Sequence, residues 1–291
     1  MKLIVTDMDG TLLNDRQEVS KENAQAVRDA LADGRIVAVA TGRDLREARL
    51  PLQKAGLELP IISVNGAQMH NEQQELVAEE PLSRDLVREA IEVLRAEDVY
   101  FEVYTTEGAY SDNYSKALAV VVDVLKSTGS DQSEAEMLAM AKKRFENGSV
   151  KPVDSYEKLI DQEHPILKLL AFSLEADQLN AARDRLKENE AYAVSASAAD
   201  NLEITHQNAQ KGIALEALAN SKGVSLADCM ALGDNLNDVS MFQKAGTAVA
   251  MGNAEGKIQE ECHYVTKTNE EHGVAHAIYT IAGVKMTVRN D

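Results

Sequence analysis

Tryptophan is absent from this chain, and aromatic residues make up only 4% of it. Unpaired bases are commonly held by stacking on aromatic rings, so the sequence is poor material for a nucleic-acid surface. Positive charge is also scarce. Thirty Lys and Arg face 48 Asp and Glu, a formal net charge of −18. A protein so anionic repels nucleic-acid phosphates and the anionic face of a membrane, and neither is expected as a partner. The two cysteines, Cys229 and Cys262, are too few and too far apart for a disulfide framework or a zinc ligand set. They read as reduced, buried thiols in a reducing compartment. Long apolar runs are missing too. The first, Leu3 to Val5, stops at Asp7, short of a secretory signal, and none approaches a membrane span. A cytoplasmic location is expected.

What remains is ample for a folded core: 291 residues, 44% of them hydrophobic, about two domains on the usual size prior. Apolar β-branched runs at Lys2 to Thr6, Ile36 to Ala40 and Ile61 to Val64 alternate with helical patterns that follow Ser20 and Asp44. Pro60 is read as the stop of the second helix. Strand, helix, strand predicts an α/β fold, a doubly wound and mostly parallel sheet with helices on both faces. Near Pro81 the rhythm changes to a mixed block of helices (Ser83 to Ala96, Ser115 to Lys126, Ser133 to Phe145, Ala176 to Glu188) and strands (Val99 to Tyr104, near Tyr110, Ile166 to Ser173, Ala191 to Ser195). The opening rhythm resumes with a helix from Lys211 and a strand from Asp228 to Leu232, followed by a helix from Leu236 to Lys244. The chain therefore divides into a core of 1–82 with 193–291 and an inserted α+β block at 83–192.

Four polar clusters fall at strand ends or helix starts: DMDGT at Asp7, TGR at Thr41, QKG at Lys211 and GDNLND at Asp234. In a doubly wound sheet, ligands bind outside the carboxyl ends of the strands. Asp7 and Asp9 would share a face if the strand ran on, and Asp234 and Asp238 lie on one side of a helix start. Gathering such acids is costly without a cation, and magnesium takes oxygen ligands of this kind. A hydroxyl at Thr41, a close backbone approach at Gly42 and a point charge at Lys211 suit a phosphoryl group. Asp7 then serves as a carboxylate nucleophile, and Asp9 as the acid and base of the two half-reactions. Singly, each cluster has a plain reading as a solvated turn, a capped helix start or a surface charge. Their ordered placement favours the chemistry.

With these motifs in view, the chain resembles the haloacid dehalogenase-like hydrolases, in their Cof-type branch. DMDGTLL at Asp7 to Leu13, VATGR at Val39 to Arg43, Lys211 and GDNLND at Gly233 to Asp238 match the four family motifs in order. The resemblance implies a magnesium-dependent phosphatase. Asp7 is nucleophile and ligand, Asp9 is acid/base and ligand through its backbone carbonyl, and Asp234 is the third ligand, with Asn235 and Asp238 supporting. The Met8 backbone, Thr41, Gly42, Lys211 and Asn237 hold phosphate. Arg43 is assigned to substrate binding, with pairing to a nearby acid as the other arrangement. The block at 83–192 corresponds to a substrate-selecting cap, with Tyr100, Phe101 and Tyr104 in its core; Tyr110 and Tyr114 are weaker candidates for the cleft. His206 and Asn208 read as loop-capping residues ahead of substrate contacts. The implied substrate is a small phosphorylated metabolite, a sugar phosphate first and a flavin- or pyridoxal-type phosphate second. A phosphomutase or other phosphotransferase using the same intermediate, and a non-catalytic phosphate-binding regulator, are the alternatives.

Overall fold

The computed structural model describes residues 1–127, 133–197 and 200–287. In chain order it opens with β1 (Leu3–Thr6), α1 (Lys21–Ala32), β2 (Ile36–Ala40), α2 (Leu45–Lys54), β3 (Ile61–Ser63), β4 (Gln68–His70) and β5 (Leu76–Glu79). The middle of the chain forms α3 (Arg84–Ala96), β6 (Tyr100–Thr105), β7 (Gly108–Ser111), α4 (Tyr114–Ser127), α5 (Glu134–Glu146), β8 (Val150–Pro152), α6 (Tyr156–Ile160), β9 (Ile166–Phe172), α7 (Ala176–Lys187), β10 (Tyr192–Ser195) and β11 (Asn201–His206). It closes with α8 (Lys211–Ser221), β12 (Cys229–Gly233), α9 (Val239–Lys244), β13 (Thr247–Ala250), α10 (Gly256–Glu260), β14 (Tyr264–Val265) and α11 (Gly273–Thr280). No helix among the described residues is long and apolar enough to cross a membrane.

Two compact units result. The first joins Met1–Glu79 to the chain from Asn208 onward. Its sheet runs β14-β13-β12-β1-β2-β3-β4-β5, parallel from β14 to β3 and antiparallel thereafter. β1 lies between β12 and β2, with Leu3 opposite both Cys229 and Ile36. It is buried on both faces, as parallel strands covered by helices are. Ile4 packs with Val27, Val274 and Ile278, while Leu3 and Val5 pack with Leu215, Leu218 and Met241. Period-2 alternation thus sends one strand into two cores. Cys229 is buried and Cys262 half-buried; both are free, and burial pushes both thiols up.

The second unit is Glu80–Gln207, with sheet order β10-β11-β9-β6-β7-β8. Phe101, Val103, Leu169, Ala171, Leu202 and Ile204 share a hydrophobic core with Ile91, Leu94 and Leu179. The unit extends past the expected end at 192. β11 pairs antiparallel with β9, Leu202 opposite Ala171, and with β10, Ile204 opposite Val194. Its alternation was hard to read because the partner face carries Asn201, Glu203 and Thr205, polar residues that are buried as well. Lys168 lies 3.0 Å from Glu203, and Tyr100 and Tyr104 donate to Glu102. Phe101 is a core residue and Tyr100 is buried too, stacked on Phe172, both as expected, whereas Tyr104 is only half-buried, on the face that carries Glu102.

Other boundaries also differ. α2 runs through Pro51 and ends at Lys54, with Gly56 left-handed just beyond, well before Pro60. Leu236–Asp238 is a single 3₁₀ turn that leads into the short α9. In the hairpin of β4 and β5, Met69 reaches the core while Leu76 and Val77 are exposed, so no period marks it.

Candidate active site

β1 is buried along its length and carries no charged side chain, so its first acid arrives where it stops. Asp7 donates its N–H to Leu232 O at 2.9 Å, which fastens the strand end to β12. The strand does not run on. Gly10 turns left-handed at φ 71°, and Leu13 N–H closes the turn on Met8 O at 2.8 Å. A Cβ at Gly10 would sit 2.4 Å from Asp234 Oδ2, so glycine is required by conformation and by space. This turn overturns the shared-face arrangement of Asp7 and Asp9. Asp9 points instead to Arg43, which grips it with Nε at 2.8 Å and Nη2 at 2.5 Å and also donates to Gln17.

Lys211, first residue of α8, is 1% exposed. Its ammonium lies 2.6 Å from Asp7 Oδ1 and 2.7 Å from Asp238 Oδ1. Burial opposes its charge, but the Asp238 and Asp7 carboxylates outweigh that and bind its proton more tightly than usual. The other oxygen of Asp238 accepts from the N–H groups of Asp234 (3.0 Å) and Asn235 (3.1 Å). Gly233 makes room for this: a Cβ there would meet the Asp238 carboxyl at 2.4 Å. Asp234 Oδ1 accepts from the Thr11 hydroxyl at 3.0 Å.

Asp7, Asp234 and Asp238 each offer an oxygen within 4.8 Å of the others. Of these three acids only Asp7 and Asp238 touch the lysine, and the imbalance is felt. Burial pushes the Asp7 carboxyl well above its ordinary value against the pull of Lys211, and Asp238 and Asp234 push the same way. Burial, then Asp238, pushes Asp234 up to about 6. A hard divalent cation on the remaining oxygens of Asp7 and Asp234 fits this donor set and would relieve the charge. The Asp9 carboxylate lies outside the cluster, and the Asn235 side-chain oxygen is occupied in capping Leu236 N–H at 2.8 Å.

Thr41 follows β2 directly, fully buried, with its N–H on Ile62 O. Its hydroxyl oxygen accepts from Arg43 N–H at 3.2 Å, a bond that does not consume the hydroxyl hydrogen. Gly42 follows on the way into α2. Asn237 donates to Asn65 Oδ1 at 3.3 Å. The Met8 side chain is buried in the core, which leaves only its backbone at the turn.

Asn65 was missed as a site residue. Val64 and Asn65 both adopt positive φ, 49° and 56°, and their N–H groups bond to Arg43 O and Thr41 O at 2.9 Å. A β-branched residue in that region is strained, and strain of this kind gathers at functional sites. The Asn-Gly pair after β3 was the available signal. Thr11 was also missed; it stood inside the DMDGT cluster, but its hydroxyl's partner lies 223 residues away.

The haloacid dehalogenase-like hydrolase family model matches residues 4–278. 5-Amino-6-(5-phospho-D-ribitylamino)uracil phosphatase YwtE of Bacillus subtilis is 34% identical over 279 residues, covering 96% of this chain and 97% of its own. Phosphatase YwpJ of the same organism is 35% identical over 279 residues, covering 95% and 98%. A solved haloacid dehalogenase-like hydrolase from B. subtilis superposes with a TM-score of 0.85 at 34% identity, over 97% of this chain and 100% of that one. Little of the chain falls outside these matches, and it belongs to the haloacid dehalogenase-like hydrolases, among the phosphatases of that family.

Proposed function

We propose that the chain hydrolyses phosphomonoesters of small metabolites through an aspartyl-phosphate on Asp7, with magnesium bound beside it. The observation that carries this is the buried Asp7 at the end of β1, with one oxygen on Lys211 and two further acids within reach. In the first step a lone pair of Asp7 attacks phosphorus and the bond to the leaving oxygen breaks. Asp9, released from Arg43 and protonated from solvent, delivers that proton to the leaving oxygen, releasing the alcohol. In the second step water attacks phosphorus and gives its proton to Asp9, which frees inorganic phosphate and the Asp7 carboxylate. Lys211, the Thr41 hydroxyl, the Gly42 and Met8 backbone and the Asn237 amide hold the phosphoryl oxygens. Asp7, Asp234 and the Asp9 carbonyl would hold magnesium, supported by Asp238 and Asn235, and the ion would neutralise developing charge on the phosphoryl group.

The relative named for a ribitylaminouracil phosphate suggests the substrate class: a phosphorylated sugar alcohol, alone or attached to a heterocycle. We assign substrate selection to the inserted unit. Asp7→Asn should fold as the parent does and lose at least ~10³-fold in phosphate release, since the nucleophile is gone. A wild-type enzyme quenched in turnover should carry one phosphoryl group on the peptide containing Asp7. Full activity of Asp7→Asn, or unchanged turnover in excess chelator, would remove the nucleophile or the metal from this account.

A further inference from the structure

The turn that carries Asp9 is held from outside by three asparagine side chains. Asn253 Nδ2 donates to Gly10 O at 2.9 Å, Asn23 Nδ2 to Leu12 O at 3.1 Å and Asn269 Nδ2 to Leu13 O at 3.2 Å. Two of these amides are oriented by main-chain donors. Asn253 Oδ1 accepts from Asn269 N–H and Asn23 Oδ1 from Ala275 N–H, both at 3.0 Å. A backbone N–H only donates, so the oxygen must face it and the NH₂ must face the turn. Gly252 allows the arrangement: its N–H bonds to Lys267 O, and a Cβ there would crowd the Thr266–Thr268 backbone at 3.0 Å.

The three differ in one respect. Asn23 and Asn269 are buried, and without them the loop carbonyls would go unpaired away from water, at a cost in stability. Asn253 is exposed, so water can replace its bond to Gly10. Burial therefore gives no reason for an amide at position 253; its target does. Gly10 adjoins Asp9, and the next residue, Thr11, is bonded to Asp234. The Gly10–Thr11 peptide is thus pinned between Asn253 and the acid cluster, next to Asp9 in the chain.

We propose that Asn253 is a positioning residue for the proton transfer. By holding the Gly10 carbonyl it fixes the hinge from which Asp9 reaches the leaving oxygen. Asn23 and Asn269 hold the buried end of the same turn and serve the fold. This inference rests on the acid role of Asp9 given above, and the test separates the two.

p-Nitrophenolate leaves without a proton, whereas an alkoxide does not. kcat/KM, which reports the first chemical step, should be measured for p-nitrophenyl phosphate and for glycerol phosphate in the wild type, Asp9→Asn, Asn253→Ala and Asn253→Asp. The last keeps the shape and the acceptor oxygen but lacks the donor. Expected is a loss of about 10- to 100-fold on glycerol phosphate and under about threefold on p-nitrophenyl phosphate for both Asn253 variants, with Tm within a few degrees of the wild type. Equal losses on the two substrates, or none, in Asn253 variants while Asp9→Asn discriminates would overturn the positioning role alone. No discrimination by Asp9→Asn would sink the acid assignment and this inference with it.

Discussion

Lys211 shows how much one side chain holds at this site. It is the cation shared by two buried acids, and both contacts are short. Removing it in Lys211→Met would leave Asp7 and Asp238 buried and alike in charge, with no cation between them. Breaking a buried pair in this way costs about 3–5 kcal/mol, more than the relief of no longer burying the ammonium. The urea midpoint should fall accordingly and phosphate release should vanish; a variant as stable as the parent would show that the acids are neutral in the resting protein. Asp7→Asn differs, because it removes a charge whose burial is unfavourable while Lys211 keeps Asp238. Its Tm should equal or exceed that of the metal-free wild type, the usual trade between stability and activity at a nucleophile. Asp7, Thr41 and Asp234 were legible in the sequence because each stands just past an apolar run, and Lys211 because it opens a helix. The posture of Asp9 was not. It depends on Gly10 turning left-handed and on Arg43, 34 residues away, and no local pattern encodes that meeting.

Helices place these residues, and their fit is tight. Gly212, next to Lys211, faces α9 so closely that a Cβ would lie 2.0 Å from Ser240 O and 2.4 Å from Ser240 C. Both are backbone atoms, so Gly212→Ala must push α8 from α9. A loss of about 3 kcal/mol is expected, together with reduced turnover as Lys211 moves; calorimetry and an assay of the same preparation would check both. At the other end of the fold, buried Asp29 ties α1 to α11 and the following chain. Burial works against its charge, but the Thr287 N–H, the Tyr279 hydroxyl and the Gln25 amide outweigh it and hold the carboxyl below its ordinary value. The folded state then releases this proton more readily than the unfolded state. Its stabilisation is full above ~pH 4 and is lost as pH falls through the depressed value. Tyr279→Phe should cost about 1–2 kcal/mol at neutral pH, and the gap should close in acid. A gap that widened in acid would reverse the sign. α1 was readable from its Ser20 cap and apolar spacing. β11 and the β4–β5 hairpin were not, since one has polar residues buried on its second face and the other leaves apolar ones exposed.

For the molecule as a whole, the formal charge of −18 sets the approach of an anionic substrate. Long-range repulsion is screened by salt, whereas the buried contacts of Lys211 are not. kcat/KM for a phosphomonoester should therefore rise about two- to fivefold between ~10 and ~150 mM KCl, as the Debye length falls from ~30 to ~8 Å. A fall over that range would mean that the field at the site is already attractive from a distance. The two units have separate hydrophobic clusters, Ile4 with Val274 in one and Phe101 with Leu169 in the other. A single unfolding free energy need not describe them both.

The sequence by itself determined the alternation of strands and helices, the order of the four polar clusters and the family they resemble. Those features are local: a run of Val and Ile makes a buried strand wherever it lies, and an acid that follows it must stand at the sheet's edge. Tertiary structure decided the rest. It put Asp9 on Arg43, drew Asn65 and Thr11 to the site, and carried the inserted unit past 192 to Gln207. Asn253 took its place against Gly10 across 243 residues of chain. Each of these depends on one polar group finding another far along the sequence, and hydrogen bonds of that kind leave no period to read.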